Sequence, residues 1–295
     1  MTEDTHRPRR SVLYMPSSNE KALAKAKTLA CDGLILDLED AVAPDAKPAA
    51  REAACAAARG REYGNREITI RVNGMDTPWH ADDIAAVSQA GPDAIVVPKV
   101  NSADEVRALV ASMEAAGAPQ HTTLWAMVET PVAMLHCEEI ARASDRLAVL
   151  VMGTNDLAKE LFAEHVPGRQ PLLPGLGLCL LAARAAGVAI LDGVYNNVKD
   201  AAGFEAECRQ GRQMGFDGKT LIHPGQIGPC NDAFAPSPAQ IEEAHAILAA
   251  WDAALAEGKG VATVNGRMIE NLHVETARRV LDMAAAIDAL VADPG

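Results

Sequence analysis

Short, continuous runs of apolar residues punctuate the chain at residues 12–15, 33–36, 68–72, 94–97, 124–128, 147–152, 188–191 and 219–222, with helical segments between them. An unbroken apolar run, as opposed to an alternating one, suits a strand covered on both faces, as in a parallel sheet. Two helix starts are readable. Ser17-Ser18-Asn19-Glu20 has the form of a capping box with Ser17 as the hydroxyl cap. Thr130-Pro131 sets a cap residue before a proline at the first helical position. Strand–helix alternation repeated eight times predicts an α/β fold, a (β/α)8 TIM barrel over residues 1–235.

The rhythm changes from Pro236 onward. Pro236-Ser237-Pro238 opens a long helix running to about Leu255, and Glu257-Gly258-Lys259-Gly260 makes a turn. A short segment over residues 261–270 then leads to an amphipathic helix whose apolar positions Val274, Ala277, Leu281, Ala284, Ile287 and Val291 recur every three or four residues. Residues 236–295 are therefore expected to form a C-terminal helical extension, packing on the barrel or on a neighbouring subunit.

Composition narrows the class. Hydrophobic residues make up 49% and charged residues 23% of the 295, so a large core is available, and with 3% aromatics Ala, Val, Leu and Ile must build it. Lys and Arg total 27 against 40 Asp and Glu, a formal charge of −13, which removes the polyelectrolyte reason for binding nucleic acid. The six cysteines have no CxxC or metal-type spacing and sit among apolar residues, as reduced thiols in a cytoplasmic protein do. The polar first ten residues lack the apolar stretch of a signal peptide. No segment offers the ~20 apolar residues of a membrane span; the best candidate, residues 176–194, is broken by Arg184 and Asp192.

Polar residues collect where the apolar runs end. Asp37, Glu39 and Asp40 follow the second run, Arg71 and Asn73 close the third, and Lys99 follows the fourth. Glu129 ends the fifth, Gly153-Thr154-Asn155-Asp156 the sixth, Asp192 the seventh and His223 the eighth. Barrel enzymes place their active sites at this carboxyl-terminal face. Glu129 and Asp156 are the sharpest pair, because two converging carboxylates repel unless a proton or a hard cation intervenes. Mg²⁺ takes one or two protein carboxylates and keeps positions for water and substrate oxygens. The alternative is that each acid caps the helix after it. Arg71 suits bidentate binding of a substrate carboxylate, or else a salt bridge to the Asp37–Asp40 group. Lys99 is positioned to meet a phosphate or Glu39, Asp192 to help shape the pocket, and His223 to brace a turn.

Seven motifs then carry a resemblance. They are Arg10-Ser11-Val12-Leu13-Tyr14-Met15-Pro16, Asp37-Leu38-Glu39-Asp40-Ala41-Val42, Ile70-Arg71-Val72-Asn73, Val97-Pro98-Lys99-Val100, Val128-Glu129-Thr130-Pro131, Gly215-Phe216-Asp217-Gly218-Lys219 with Ile222-His223-Pro224, and Gly266-Arg267-Met268-Ile269-Glu270. Together, in order from about residue 9 to 280, they resemble the citrate lyase β-subunit-like proteins of the HpcH/HpaI aldolase family, which includes malyl-, citramalyl- and citryl-thioester lyases. The resemblance implies a barrel of the pyruvate/phosphoenolpyruvate type, Mg²⁺ held by Glu129 and Asp156, and substrate contacts from Arg71 and Glu129. It also implies a thioester or carrier contact from Arg10 and a homotrimer or hexamer. Two positions depart from the pattern. Gly153-Thr154-Asn155-Asp156-Leu157 stands where close relatives carry Phe-Gly-x-x-Asp, and Glu270 stands where several members carry an Asp acid/base supplied by a neighbouring subunit.

The expected activity is Mg²⁺-dependent carbon–carbon lysis of a β-hydroxyacyl-CoA such as malyl- or citramalyl-CoA. Arg71 would hold the carboxylate and Glu270 would move the proton, yielding acetyl-CoA with a keto acid, glyoxylate or pyruvate. Three alternatives stay open: a malyl-CoA thioesterase, a metal-dependent pyruvate aldolase without a thioester, and a non-catalytic paralogue, the last kept alive by Glu270.

Overall fold

The computed structural model describes residues 7–292. Residues 1–6, which carry most of the polar start noted above, and residues 293–295 lie outside the described residues. Eight strands, β1 (Ser11–Pro16), β2 (Gly33–Asp37), β3 (Glu67–Arg71), β4 (Ala94–Val97), β5 (Thr123–Val128), β6 (Leu147–Met152), β7 (Ala189–Asp192) and β8 (Gly218–Leu221), form a closed parallel barrel in chain order. β1 pairs with β8 through Ser11↔Lys219, Val12↔Thr220 and Leu13↔Leu221, which completes the ring. The expected (β/α)8 barrel is the observed architecture.

Period-two alternation divides the strand residues between two layers. Val12, Ile35, Ala94, Val96, Trp125, Met127, Val149, Val151 and Leu191 form one apolar cluster, filling the barrel's interior. Their neighbours Leu13, Leu34, Leu36, Ile95, Leu124, Ala126 and Leu150 belong to a second cluster that includes the buried faces of the surrounding helices. Burial on both sides is why the strands read as unbroken apolar runs. The same alternation carries the inward set upward from Val12, Ile35 and Thr69 to Tyr14, Asp37 and Arg71, all of which line a cavity at the carboxyl-terminal mouth.

Ion pairs occupy the opposite end. Arg9 binds Glu67 through two hydrogen bonds of 2.7 and 2.8 Å and lies over the Trp125 ring at 5.5 Å. Arg10 binds both oxygens of Asp32 at 2.9 and 2.8 Å. At the side of the barrel, buried Lys219 bonds Asp192 (3.0 Å) and Glu207 (2.7 Å), and Arg169 adds a 2.7 Å bond to Asp192. Burial alone would lift the Asp192 carboxyl; Lys219 and Arg169 outweigh it and hold the group below its ordinary range. Asp192 therefore braces β7 against β8 and does not line the catalytic cavity, which corrects its expected part in shaping the pocket.

The cap after β1 also differs from expectation. Asn19 caps the helix Glu20–Ala26, its side chain accepting from Ala22 N at 3.1 Å, whereas Ser17, two residues earlier, is buried and its hydroxyl caps no helical amide. Thr130 does cap the helix Pro131–Leu135, accepting from Ala133 N at 3.0 Å.

The chain divides into two compact units, the barrel over Arg9–Phe234 and a second from Ala235 onward. In the second unit the helices Pro238–Ala256 and Asn271–Ala292 flank a small antiparallel hairpin, β9 (Ala262–Val264) and β10 (Arg267–Ile269). Asn265 (φ 50°) and Gly266 (φ 77°) form its two-residue turn, the left-handed pair that Asn-Gly favours. Trp251, Ala254, Ala262, Ile269 and Val274 make a separate small core. No helix among the described residues is long and apolar enough to cross a membrane.

Barrel closure supplies a stability test. A Cβ on Gly218 would lie 1.8 Å from the Arg9 carbonyl oxygen and 2.7 Å from that of Arg10, so backbone would have to move where β8 meets β1. Gly218→Ala is expected to lower the unfolding free energy by about 1–3 kcal/mol, as overpacking against rigid atoms does. Chemical denaturation with unchanged midpoint would contradict this account of closure.

Candidate active site

The mouth of the barrel encloses a cavity of about 320 Å³. Tyr14, Asp37, Arg71, Met127, Glu129 and Asp156 line it, with Thr154, Asn155, Val194 and Thr220 on its far side. Glu129 directly follows β5 and Asp156 sits in the first turn of the helix Thr154–Glu160 after β6, so adjacent strands deliver the two acids to one space.

Glu129 is held tightly. Its Oε1 accepts from the Lys99 amide at 2.8 Å, and a Cβ on Gly153 would lie 2.0 Å from its Oε2. Gly153 is thus the cradle for this carboxylate. Lys99 has a left-handed backbone (φ 52°), which aims its amide at Glu129 while its half-exposed ammonium stands 4.0 Å from Asp156. Burial, then the negative charges of Asp156 and Glu39, push the Glu129 carboxyl up to about 7. A carboxylate so placed gains from a nearby cation.

Arg71 makes the salt bridge considered above. Its Nε and Nη2 each donate to Asp37 at 2.7 Å, and its Nη1 lies 2.7 Å from Glu39 Oε2. The guanidinium also lies 4.9 Å from the centre of the Tyr14 ring. Burial alone would raise Asp37; the Arg71 charge and the amides of Glu39 and Ala41 outweigh it and hold the carboxyl below its ordinary range. Glu39 goes the other way: burial, with Asp40 and Asp37 nearby, lifts it to about 7 because Arg71 is already shared with Asp37. An arginine has five N–H donors. Three are spent on these acids and a fourth, on Nη1, meets the Met127 sulfur at 4.0 Å, so one N–H on Nη2 is left for a ligand at the cavity wall.

Two sequence candidates fall elsewhere. Arg10 precedes β1 at the amino-terminal end of the barrel, opposite the cavity, and both branches of its guanidinium bind Asp32. It is a structural ion pair, which corrects its expected contact with the thioester. Glu270 belongs to the second unit, where its side chain is exposed and its backbone amide donates to His273 Nδ1 at 3.0 Å. His223 braces a turn, its Nδ1 accepting from Gly225 N at 3.0 Å. Tyr14 was not singled out in the sequence, although its place two residues after inward-facing Val12 marks it for the mouth.

The residues fit a hard divalent ion. No group of three or more His, Cys, Asp or Glu side chains gathers to hold a metal among the described residues, so the donor set here is two carboxylates on one cavity. That set matches Mg²⁺, which leaves most of its positions to water and substrate.

A family model described as HpcH/HpaI aldolase/citrate lyase matches residues 10–224. The chain belongs to that family. It is 52% identical over 98% of its length to a protein of Cereibacter sphaeroides named (3S)-malyl-CoA thioesterase, covering 99% of it. It is 33% identical to the L-malyl-CoA/beta-methylmalyl-CoA lyase of the same species, with 96% of each chain covered. Among solved structures it is similar to the protein CitE of Mycobacterium tuberculosis in complex with magnesium, acetoacetate and coenzyme A. There the TM-score is 0.77 and the identity 30%, over 95% of this chain and 99% of that one. Within the family, then, relatives include both a thioesterase and a lyase of malyl thioesters, and a magnesium-bound structure.

Two measurements test the electrostatics of the cavity. Gly153→Ala pushes a methyl into the Glu129 carboxylate, and Mg²⁺ affinity by calorimetry is expected to fall about 10–100-fold, the range for disturbed support of a metal ligand. Unchanged affinity would remove Gly153 from the site. The second concerns pH. Unfolded, Glu129 loses its proton near 4.5; folded, only near 7. Between these values the unfolded chain binds fewer protons, so this group makes metal-free stability fall as pH rises through the window. The melting temperature of the metal-free protein is expected to decline more steeply from pH 5 to 7 than that of Glu129→Gln, and parallel curves would refute the assignment. Stabilisation by Mg²⁺ should grow over the same window.

Proposed function

We propose that this chain is a Mg²⁺-dependent enzyme acting on a malyl-type coenzyme A thioester, with hydrolysis to the hydroxy acid and free coenzyme A as its principal reaction. The observation that carries the reading is the convergence of Glu129, Asp156 and Arg71 on one cavity. The 52% identity to proteins named malyl-CoA thioesterase favours hydrolysis over carbon–carbon cleavage.

Glu129 and Asp156 would hold the ion, and Mg²⁺ when bound supplies Lewis-acid polarisation of substrate oxygens. Arg71, fixed by Asp37 and Glu39, would present its remaining Nη2 donor to the substrate carboxylate. The pair geometry pre-pays the orientation of that guanidinium, so little rotamer freedom is lost on binding. Tyr14 closes the aromatic side of the cavity and Met127 its floor. Water then attacks the acyl carbon, the C–S bond breaks, and the thiolate takes a proton.

A second reading is carbon–carbon cleavage of the same substrate to acetyl-CoA and glyoxylate, favoured by the similarity to the malyl-CoA lyase. It needs a group to protonate the departing acetyl-thioester enolate. Glu270, on the C-terminal unit, is proposed for this in a homotrimeric or hexameric assembly where a neighbour supplies it. A cytoplasmic location is proposed with it, from the reduced cysteines.

Incubating the protein with Mg²⁺ and malyl-CoA, then resolving products by chromatography, decides between the readings. Malate with free coenzyme A is expected; acetyl-CoA with glyoxylate would favour the lyase. Asp156→Ala and omission of Mg²⁺ are each expected to cut turnover by about 10²–10³-fold, as loss of a main electrostatic stabiliser does. Full turnover by Asp156→Ala would overturn the metal site.

A further inference from the structure

A second cavity, about 450 Å³, adjoins the catalytic one. The two share Thr154 and Val194 in their walls. The second runs from Thr154 outward past Arg169 and Gln210 to exposed Asn197 and His165, so its outer end meets solvent.

Its lining is mostly apolar, with a few polar and charged groups set into it. Arg169 is only 7% exposed, yet its Nη2 has no hydrogen-bond partner among the described residues. Its other two nitrogens are spent: Nη1 on Asp192 at 2.7 Å, and Nε on Gln210 Oε1 at 3.0 Å, with Glu207 at 3.5 Å. Lys219 completes the group. Asp192 and Glu207 match these two cations and Asp200 adds a further carboxylate to the wall, so an anion gains little here. Beside Gln210 and Glu207 this buried donor takes water, which needs only about 30 Å³ a molecule. Thr154 and Val194 are the wall residues common to both cavities. Thr154 is 5% exposed, and Gly193 leaves it room, since a Cβ there would lie 2.4 Å from its hydroxyl oxygen. Above it, Asn155 and Asn196 exchange hydrogen bonds of 3.1 and 2.7 Å between the two loops.

We propose that this second cavity is a water store that feeds the hydrolytic water to the thioester past Thr154. The inference rests on the hydrolytic reading above. On that reading a bound acyl-CoA would occupy the mouth of the catalytic cavity, and the shared wall offers the nucleophile a separate entrance. The Thr154 hydroxyl hands a water across; the water oxygen bonds to the acyl carbon as the C–S bond breaks. One water proton ends on the coenzyme A sulfur, and the other leaves with the new carboxyl group. Water entry at this wall therefore sets the ratio of hydrolysis to carbon–carbon cleavage.

The test follows both product pairs from malyl-CoA with the Mg²⁺-loaded protein. Thr154→Val keeps the shape and removes the hydroxyl, Thr154→Ser restores a hydroxyl, and Ala206→Phe plugs the second cavity from its exposed rim without touching the catalytic one. Thr154→Val and Ala206→Phe are expected to lower hydrolytic kcat by about tenfold or more with KM unchanged, Thr154→Ser to recover it, and acetyl-CoA formation to persist or rise. Hydrolysis unchanged in both variants overturns the water route and leaves the hydrolytic reading standing. Equal loss of both reactions, or a loss confined to KM, also overturns it. A wild-type protein that releases no malate fails the hydrolytic reading itself, and the water route with it.

Discussion

The bidentate pair between Arg71 and Asp37 is the interaction on which the mouth of the barrel depends. Asp37, Glu39 and Glu129 are all desolvated within the same few residues, and Arg71 is the buried cation among them. Removing one partner of such a pair strands a charge at a cost of about 3–5 kcal/mol. The barrel makes the pair possible because β2 and β3 run parallel with Asp37 directly opposite Arg71 in register. Their long side chains meet with both backbones already fixed.

Charge is placed differently at the two ends. At the amino-terminal end each arginine has its own acid, Arg9 with Glu67 and Arg10 with Asp32, so the charges are paired one to one. At the carboxyl-terminal end the acids outnumber the buried cations, and two carboxyl groups rise to about 7. Stability is spent at the mouth and recovered at the base, a division expected when one face of a fold is catalytic. The excess of acid also suits a hard cation, and it makes the site unwelcoming to an anionic substrate until that cation is bound.

Much of this could be read in the sequence, for a definite reason. Strands buried on both faces leave unbroken apolar runs, so the eight were legible to within about a residue of their ends, and the first polar residue after each run marked the mouth. Glu129 followed from that rule; Asp156 lies four residues past the end of its run, and Arg71 stood out as a charge inside one. Arg10 came from the family resemblance and not from this rule: it precedes β1, at the end of the strand away from the mouth. Tyr14 was hidden inside a run because its ring is apolar. The hairpin β9–β10 was hidden because three-residue strands have no periodicity to detect, although Asn265-Gly266 is its sign. The second cavity was illegible altogether. Its walls come from loops after β6 and β7 and from the helix Ala201–Met214, and only folding brings them together.

Lys99 carries one more consequence. The group it lends to Glu129 is its peptide N–H, oriented by a left-handed backbone that costs an ordinary residue on the order of 1–2 kcal/mol. Tolerance at this position is therefore governed by torsion more than by charge. Asparagine or glycine would suit the main chain there, and valine or isoleucine would not, so the position can drift in side chain among descendants of this gene while its peptide plane stays where it is.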